Sequence, residues 1–257
     1  LAIGAPEYNS STGYVKIYKY NGSSWIVLNV DSSINSTINS QDAIIGSSGS
    51  DFGWSVNLST DGTILAVGAR THSSNIGYVR TYKYDGSSWN TLGSQINGSS
   101  VSNFGSSVRL SSDGTILAIG ARLHSSSIGY VKIYKYDGSS WNALSVDSSI
   151  RTTINSEDAI AGSSISRFGS SVSISSDGNI LAVGAYAHDT QIGYVKTYQY
   201  NGSSWNTLGS QINGTSASNL GSSVSLSLDG TILAVGAPRH NSYEGYVKIY
   251  KYDGSSW

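Results

Sequence analysis

The sequence has 257 residues, a formal net charge of -1 and only 12% charged residues. This composition offers no basic field for nucleic acid or for an anionic membrane surface, so neither is an expected partner. Cysteine is absent, which excludes disulfides, thiol catalysis and cysteine-ligated metals, and no apolar run approaches the roughly 18 residues of a membrane span.

The chain consists of copies of one unit. The tripeptide Gly-Tyr-Val recurs with successive spacings of 64, 52, 64 and 52 residues, beginning at Gly13, Gly77, Gly129, Gly193 and Gly245. A period of this length is typical of repeat architectures, in which each unit buries its apolar face against its neighbours.

The unit from Phe104 to Trp141 shows the pattern most clearly. Its apolar residues alternate with the two-residue period of strands. Asp-Gly turns at Asp113 and Asp137 join successive strands into two predicted hairpins. Strands are predicted at 104–110, 116–121, 130–136 and 140–144. A loop around His124 joins the second and third strands, and no segment has a helical pattern. The fold class is therefore all-β, a β-propeller of four-stranded antiparallel blades.

Five blade repeats follow one another as a single propeller or a propeller fragment, and the first lacks its innermost strand. The predicted blades are approximately 1–51, 52–103, 104–167, 168–219 and 220–257. Long inter-blade loops at 29–51 and 145–167 alternate with short ones at 93–103 and 209–219, so the duplicated unit is two blades or 116 residues. This alternation favours an even number of blades in the parent protein. Because Leu1 lies inside a second-strand motif, we expect the chain to be part of a longer precursor.

The repeats resemble the FG-GAP repeats of the integrin α-subunit propeller, and more closely the FG-GAP-like repeats of bacterial, algal and viral surface proteins. Phe-Gly at Phe52, Phe104 and Phe168 corresponds to the first half of the motif, with Leu-Gly at Leu220. Gly-Ala-Pro at Gly4 and at Gly236 corresponds to the second half. The resemblance covers the whole chain and implies an extracellular or cell-surface protein involved in adhesion.

Calcium-binding members of this family carry several acids in the loop between the first two strands. Here that loop holds a single acid in each blade, at Asp61, Asp113, Asp177 and Asp229. One carboxylate cannot supply the six to eight oxygen ligands that calcium takes. We therefore expect turns rather than metal sites, and no cofactor.

Loops that join the second and third strands are expected on one face of the propeller, together with the inter-blade connections. We predict that this face binds the ligand, because binding usually lies on loops of a rigid scaffold. Its candidate residues are Arg70, His72, Arg122, His124, Tyr186, His188, Arg239 and His240, with Trp54 as a unique aromatic candidate. The four histidines form an arc that could bind a metal or respond to pH, or they could be inherited loop residues.

Two other sets of repeated residues each have a structural and a functional interpretation. The acids of Gln41-Asp42 and Glu157-Asp158 could hold a cation or a basic partner, or be solvated. Tryptophans at the start of each fourth strand could stack on sugars, although their recurrence favours packing. They are Trp25, Trp89, Trp141, Trp205 and Trp257.

The leading functional hypothesis is a non-catalytic binding or adhesion module for a protein or glycan. A structural building block of a surface layer or appendage, and a carbohydrate-active enzyme, are the alternatives. No Gly-x-Ser-x-Gly elbow and no phosphate-binding glycine loop is present, so we do not expect an enzyme. Self-association or completion by a flanking chain is a further expected form of partnership.

Overall fold

A computed structural model describes residues 1–257, and the chain forms five antiparallel sheets in chain order. Each sheet is one blade of a β-propeller, numbered one to five along the chain. The first strands of neighbouring blades lie side by side near the axis. No helix is long and apolar enough to cross a membrane.

The five blades have these elements. Blade one contains β1 (Ala2–Ala5), α1 (Tyr8–Ser11), β2 (Tyr14–Tyr20), β3 (Trp25–Val27), β4 (Asn35–Ile38) and β5 (Gln41–Ile45). Blade two contains β6 (Phe52–Leu58), β7 (Ile64–Ala69), α2 (His72–Asn75), β8 (Tyr78–Tyr84), β9 (Trp89–Thr91) and β10 (Ile96–Asn97). Blade three contains β11 (Phe104–Leu110), β12 (Ile116–Ala121), α3 (His124–Ser127), β13 (Tyr130–Tyr136), β14 (Trp141–Ala143), β15 (Arg151–Ile154) and β16 (Glu157–Ala161). Blade four contains β17 (Ser171–Ile174), β18 (Ile180–Ala185), α4 (His188–Gln191), β19 (Tyr194–Tyr200), β20 (Trp205–Thr207) and β21 (Ile212–Asn213). Blade five contains β22 (Ser223–Leu226), β23 (Ile232–Ala237), α5 (His240–Tyr243) and β24 (Tyr246–Lys251).

The outer edge of a blade is built from two pieces rather than one. In blade three the fourth strand, β14, has only three residues and pairs with the end of β13. The beginning of β13 pairs instead with β16, where Val131 lies opposite Ile160. In blade two the two-residue strand β10 fills the same place, where Val79 lies opposite Ile96. The third strand is therefore covered at both ends in either type of blade.

The long inter-blade segments were predicted as loops on the ligand-binding face, and this was wrong. Their extra residues form the hairpins β4–β5 and β15–β16, which continue the sheets of blades one and three. Pairing with the third strand satisfies the backbone groups of the hairpin, which a loop would leave to water. The extra residues consequently lie at the outer edge of the blade.

Neighbouring blades touch through glycine. A Cβ atom added to Gly120 on β12 would lie 2.0 Å from the carbonyl oxygen of Gly169 in the next blade. The hydroxyl of Ser107 donates a hydrogen bond to the same carbonyl at 2.8 Å. Gly169 itself has a φ of 82°, a conformation that suits glycine. The same contact recurs between Gly4 and Gly53, Gly68 and Gly105, and Gly184 and Gly221.

The loops between second and third strands contain a single left-handed helical turn, which the prediction of a helix-free unit missed. In α3, Ser125 and Ser126 have φ of 49° and 56° and ψ of 62° and 42°. Left-handed backbone costs about 1–2 kcal/mol per non-glycine residue. The next blade supports this turn, because the Arg167 amide donates to the Ser127 carbonyl at 2.8 Å.

The apolar core lies between consecutive blades. Val131 and Ile133 of blade three are 0% and 1% exposed because blade four covers them. The corresponding residues of blade five, Val247 and Ile249, are 68% and 73% exposed. On blade one, Ile3 is 48% exposed on the opposite face of its sheet. The two end blades thus expose the surfaces that inner blades bury.

Substitution of Gly120 by alanine should separate blades three and four. The added methyl group meets backbone rather than a flexible side chain, so we expect a loss of about 1–3 kcal/mol or more in the free energy of unfolding. Gly236→Ala is the matched control, because only the Ser223 hydroxyl lies near the corresponding Cβ. Urea unfolding of both variants measures the difference, and equal destabilisation would contradict the proposed contact.

Candidate functional site

The four histidines are packing residues of their own blades. Each ring lies edge-on against the tyrosine of the following Gly-Tyr-Val, as for His124 and Tyr130 with ring centroids 5.0 Å apart and planes at 86°. In blade one Tyr8 occupies the histidine position and packs on Tyr14 in the same way, at 5.0 Å and 84°. The other pairs are His72–Tyr78, His188–Tyr194 and His240–Tyr246.

No three histidine, aspartate or glutamate side chains come close enough together to hold a metal ion. Burial, with a smaller effect of the Lys132 charge, lowers the pKa of His124. A serine of the segment that leads into the same blade approaches the ring, with Ser100 Oγ 3.5 Å from His124 Nδ1. The geometry therefore favours the interpretation of the histidines as inherited loop residues.

Arginines from three segments meet on the face that carries the histidine loops, here called the histidine-loop face. Arg122 follows β12 directly and is half-buried. Burial lowers its pKa, and the charges of Arg70 and Arg167 lower it further, whereas nearby Tyr186 acts in the opposite direction. Arg122 forms no ion pair, and its buried Nε has no hydrogen-bond partner. We call Arg70, Arg122 and Arg167 the arginine cluster.

Trp54 lies at the edge of the arginine cluster. The guanidinium of Arg70 stacks on its indole ring, with Cζ 3.0 Å from the ring centroid. Arg70 Nε also donates to the Asp51 carboxylate at 3.1 Å. Trp54 is 39% exposed, so the stacked pair presents both an aromatic face and a fixed guanidinium to solvent.

Arg167 of the arginine cluster contacts Tyr186, which directly follows β18 of blade four. Arg167 Nη1 donates a hydrogen bond to the Tyr186 hydroxyl. Arg239, although predicted for the same site, contacts other groups: its Nη1 donates to Gln191 Oε1 at 2.8 Å, and its Cζ lies 5.6 Å from the Tyr243 ring centroid. Arg239 therefore contacts loop residues of blades four and five rather than the arginine cluster.

The sequence-based prediction omitted Arg167 and Asp51 from the site. Both occupy the position directly before Phe-Gly, where the other blades have Asn103 and Asn219. Those two asparagines instead donate to the carbonyls of Arg70 and Tyr186 in the preceding blade. Variation at one position of an otherwise regular repeat was the available signal for these residues.

The repeated acids in the hairpins have structural partners. The carboxylate of Asp42 accepts a hydrogen bond from the Val30 amide at 3.0 Å, and Asp158 accepts one from Val146 at 3.0 Å. Glu157 accepts from the buried Lys132 ammonium at 2.6 Å. These contacts favour a structural interpretation of the acids over a cation site.

The tryptophans at the predicted starts of the fourth strands stack on tyrosines of their own blades. Trp89 and Trp205 are fully buried, whereas Trp25 is 55% exposed. Each of the five stacks at a tilt on the tyrosine five residues before it, with centroids 5.2–5.6 Å apart. Trp141 Nε1 donates to Thr81 Oγ1 of the preceding blade at 2.8 Å. The packing interpretation is therefore favoured for Trp89, Trp141 and Trp205.

The single acids between first and second strands close their own turns. Asp61 accepts hydrogen bonds from the Ser59 hydroxyl at 2.6 Å and from the Thr63 amide at 2.9 Å. The Ser227 hydroxyl and the Thr231 amide lower the pKa of Asp229 to about 2 in the same way. In the turn before the fourth strand, amides of Ser88 and Ser87 lower the pKa of Asp85 to about 2.

The hydrogen bonds in these turns predict that the stability of the fold decreases at acidic pH. A folded-state pKa near 2, below the ordinary 3.8, means that the carboxylate stabilises the fold above about pH 5 and loses this effect as the pH falls towards 2. We expect the thermal unfolding midpoint to fall over this window, and less steeply in the double variant Asp85→Asn and Asp229→Asn.

The control for the acid experiment is Asp189→Asn, because that carboxylate accepts no hydrogen bond from another side chain or amide. Its pH profile should follow that of the parent chain. Calorimetric scans between pH 7 and pH 2 measure all three proteins. Parallel profiles for the double variant and the parent would contradict the assigned role of the turns.

No protein-family model matches the sequence, and no curated protein matches it either. Solved structures share its fold. A candidate 6-phosphogluconolactonase from Bacteroides uniformis matches with a TM-score of 0.57 and 11% identity, over 94% of this chain and 64% of that one. Kuenenia stuttgartiensis hydrazine synthase gives 0.54 and 15% identity, over 95% and 70%. A functionally unknown protein from Desulfotomaculum acetoxidans gives 0.54 and 12% identity, over 93% and 63%.

These similarities support the propeller fold and, at such low identity, the fold alone. The chain spans less than two thirds of the B. uniformis structure. The prediction that the protein is not an enzyme is corrected by this comparison, because a chain described as a candidate lactonase has the same architecture. The absence of familiar sequence motifs is consequently no argument against catalysis on this scaffold.

Proposed function

We propose that the protein is an FG-GAP-like binding propeller of the cell surface or extracellular space, and that it binds an anionic group of a protein or glycan ligand at the arginine cluster. The proposal concerns recognition and applies whether or not the bound ligand is then converted. The observation that carries it is the half-buried Arg122, whose guanidinium has no carboxylate partner and whose Nε has no hydrogen-bond partner.

An unpaired, partly buried charge is costly to a protein and needs a compensating interaction. The local balance makes this cost larger, since three arginines share the site with the single carboxylate of Asp51. A bound carboxylate, sulfate or phosphate would satisfy the cluster, because the planar guanidinium matches the geometry of these anions. Charged groups whose pKa values are shifted by burial and by neighbouring charges are often found at functional sites.

Two further features support recognition of a larger ligand. The Arg70–Trp54 stack lies beside the arginine cluster and offers an aromatic platform for an apolar or sugar face. The resemblance to FG-GAP repeats adds the expectation of adhesion at the surface of a cell. Acidic oligosaccharides and acidic peptide segments are therefore the ligand classes to test.

Arg122→Gln should weaken binding of acidic probes at least tenfold, because it removes the central unpaired charge. The probes are 3′-sialyllactose and a glutamate-rich peptide, each compared with its neutral counterpart, and isothermal titration calorimetry measures the dissociation constants. Loss of an unpaired half-buried charge should leave the unfolding midpoint unchanged or raise it.

The matched control is Arg109→Gln. Arg109 lies in the same blade on β11, beside the opposite end of the propeller axis, so the change in net charge is identical. Unaltered affinity in this variant would locate the effect at the arginine cluster. Failure of every acidic probe, or equal affinity of the Arg122→Gln protein and the parent, would overturn the proposal.

A second candidate function is a building block of a surface layer or appendage. It is supported by the near-identity of the two-blade units, which allows one type of contact between neighbouring blades to recur along an assembly. The surfaces to test are the apolar faces at Val247 and Ile249 of blade five and at Ile3 of blade one.

If assembly occurs through these faces, sedimentation velocity should show association that increases with protein concentration. Ile249→Glu should abolish it, whereas Leu228→Glu should not, since Leu228 is equally exposed at 72% but lies in a turn. A monomer at all concentrations would exclude the building-block function.

A further inference from the structure

Two clefts on the outside of the propeller repeat with the two-blade period of 116 residues. The first outer cleft, lined by 33–35, 44–45, 80–82, 91 and 93–95, has a volume of about 430 Å³. The second outer cleft, lined by 149–152, 160–161, 196–198, 207 and 209–211, has a volume of about 340 Å³. Each lies between the hairpin of an odd-numbered blade and the third strand of the next blade, and both volumes suit a small ligand.

The third strand carries a cation at the same position in every blade, and its role depends on the blade type. In blade three Lys132 is 1% exposed, and its Nζ donates to the Ile154 carbonyl at 2.7 Å and to Glu157 at 2.6 Å. In blade one Lys16 makes the corresponding contacts with Ile38 and Gln41. In blades one and three the hairpin of the same blade therefore satisfies the cation.

Even-numbered blades have no such hairpin, since a two-residue strand takes its place. Their cations, Arg80 and Lys196, consequently line the outer clefts. Arg80 Nε donates to Gln95 Oε1 at 2.8 Å, and neither residue forms an ion pair. Each outer cleft thus contains one half-buried cation without a carboxylate partner. The second outer cleft also contains the exposed Arg151, which lies 3.9 Å from the Asp158 carboxylate, where the first has Asn35.

The remaining walls combine apolar and polar groups. Ile34 and Ile44 of the hairpin line one side of the first outer cleft, and the second has isoleucines at both corresponding positions. Hydroxyl and amide groups of Thr91, Ser94 and Gln95 line the other side. A ligand that matches these walls has an apolar carbon face, hydroxyl groups on its other side and one negative charge. An acidic sugar combines these properties.

We propose that each outer cleft binds one carboxylated sugar unit, with the carboxylate at Arg80 or Lys196 and the sugar hydroxyls at the amide and hydroxyl wall. Two equivalent clefts on one chain suit a polysaccharide with repeated acidic units, because linked binding events raise the overall affinity. This site is separate from the arginine cluster, and it does not depend on the function proposed there.

The test uses ¹⁵N-labelled protein titrated with methyl β-D-glucuronide and, in parallel, with the neutral methyl β-D-glucoside. The glucuronide should shift the amide signals of 94–95 and of 210–211, and the glucoside should not. Arg80→Gln should raise the dissociation constant at the first outer cleft at least tenfold and leave the second unchanged. Lys196→Gln should have the reverse effect, so each variant is the folding control of the other.

Lys83→Gln is a further control, because Lys83 is exposed on the same strand as Arg80 but on the opposite face of the sheet. Both clefts should bind as before in this variant. Equal shifts with the neutral glucoside, no shifts at either cleft, or shifts that persist unchanged in Arg80→Gln would each overturn the proposal. Shifts at Arg122 report on the arginine cluster alone, so the two proposals can fail separately.

Discussion

The close contact between glycines of neighbouring blades determines how the blades pack and which residues lie beside the contact. With 2.0 Å between a would-be Cβ of Gly120 and the Gly169 carbonyl, only hydrogen fits at that point. The residues at this contact belong to Gly-Ala at the end of a second strand and to Phe-Gly at the start of the next blade. The candidate site residues flank the same contact: Arg122 directly follows Gly-Ala, and Arg167 directly precedes Phe-Gly. Their meeting on the histidine-loop face follows from the way the blades pack.

The alternation of two blade types gives the propeller its second level of organisation. Blades one and three carry a hairpin that pairs with the third strand and accepts hydrogen bonds from its buried lysine, whereas blades two and four end the same edge with two residues. The 12 extra residues of each long connection therefore lie at the outer edge of the blade. The parts of the connections that cross the histidine-loop face are short in both blade types. The difference in length also creates the outer clefts, because the shorter edge leaves its cation facing the hairpin of the preceding blade.

Residues repeated in all blades and residues that vary have different roles here. The histidines, the fourth-strand tryptophans and the turn aspartates recur because each blade needs an aromatic pair, a packed outer edge and a closed turn. Trp54, Arg70, Asp51 and Arg167 depart from the repeat, and these are the residues that stack and pair on the histidine-loop face.

The sequence by itself determined the repeat, the strand bounds of the regular unit, the tight turns and the propeller class, because alternation, Asp-Gly turns and spacing act locally. It also indicated which face carries the loops and most of the candidate residues. Only the tertiary structure decided that the long connections are hairpins, that the histidines pack on tyrosines, and that Arg167 joins Arg70 and Arg122. The hairpins and the arginine cluster depend on pairing and packing between segments that are distant in sequence. The histidine pairs depend on left-handed turns, which a contact with the neighbouring segment supports.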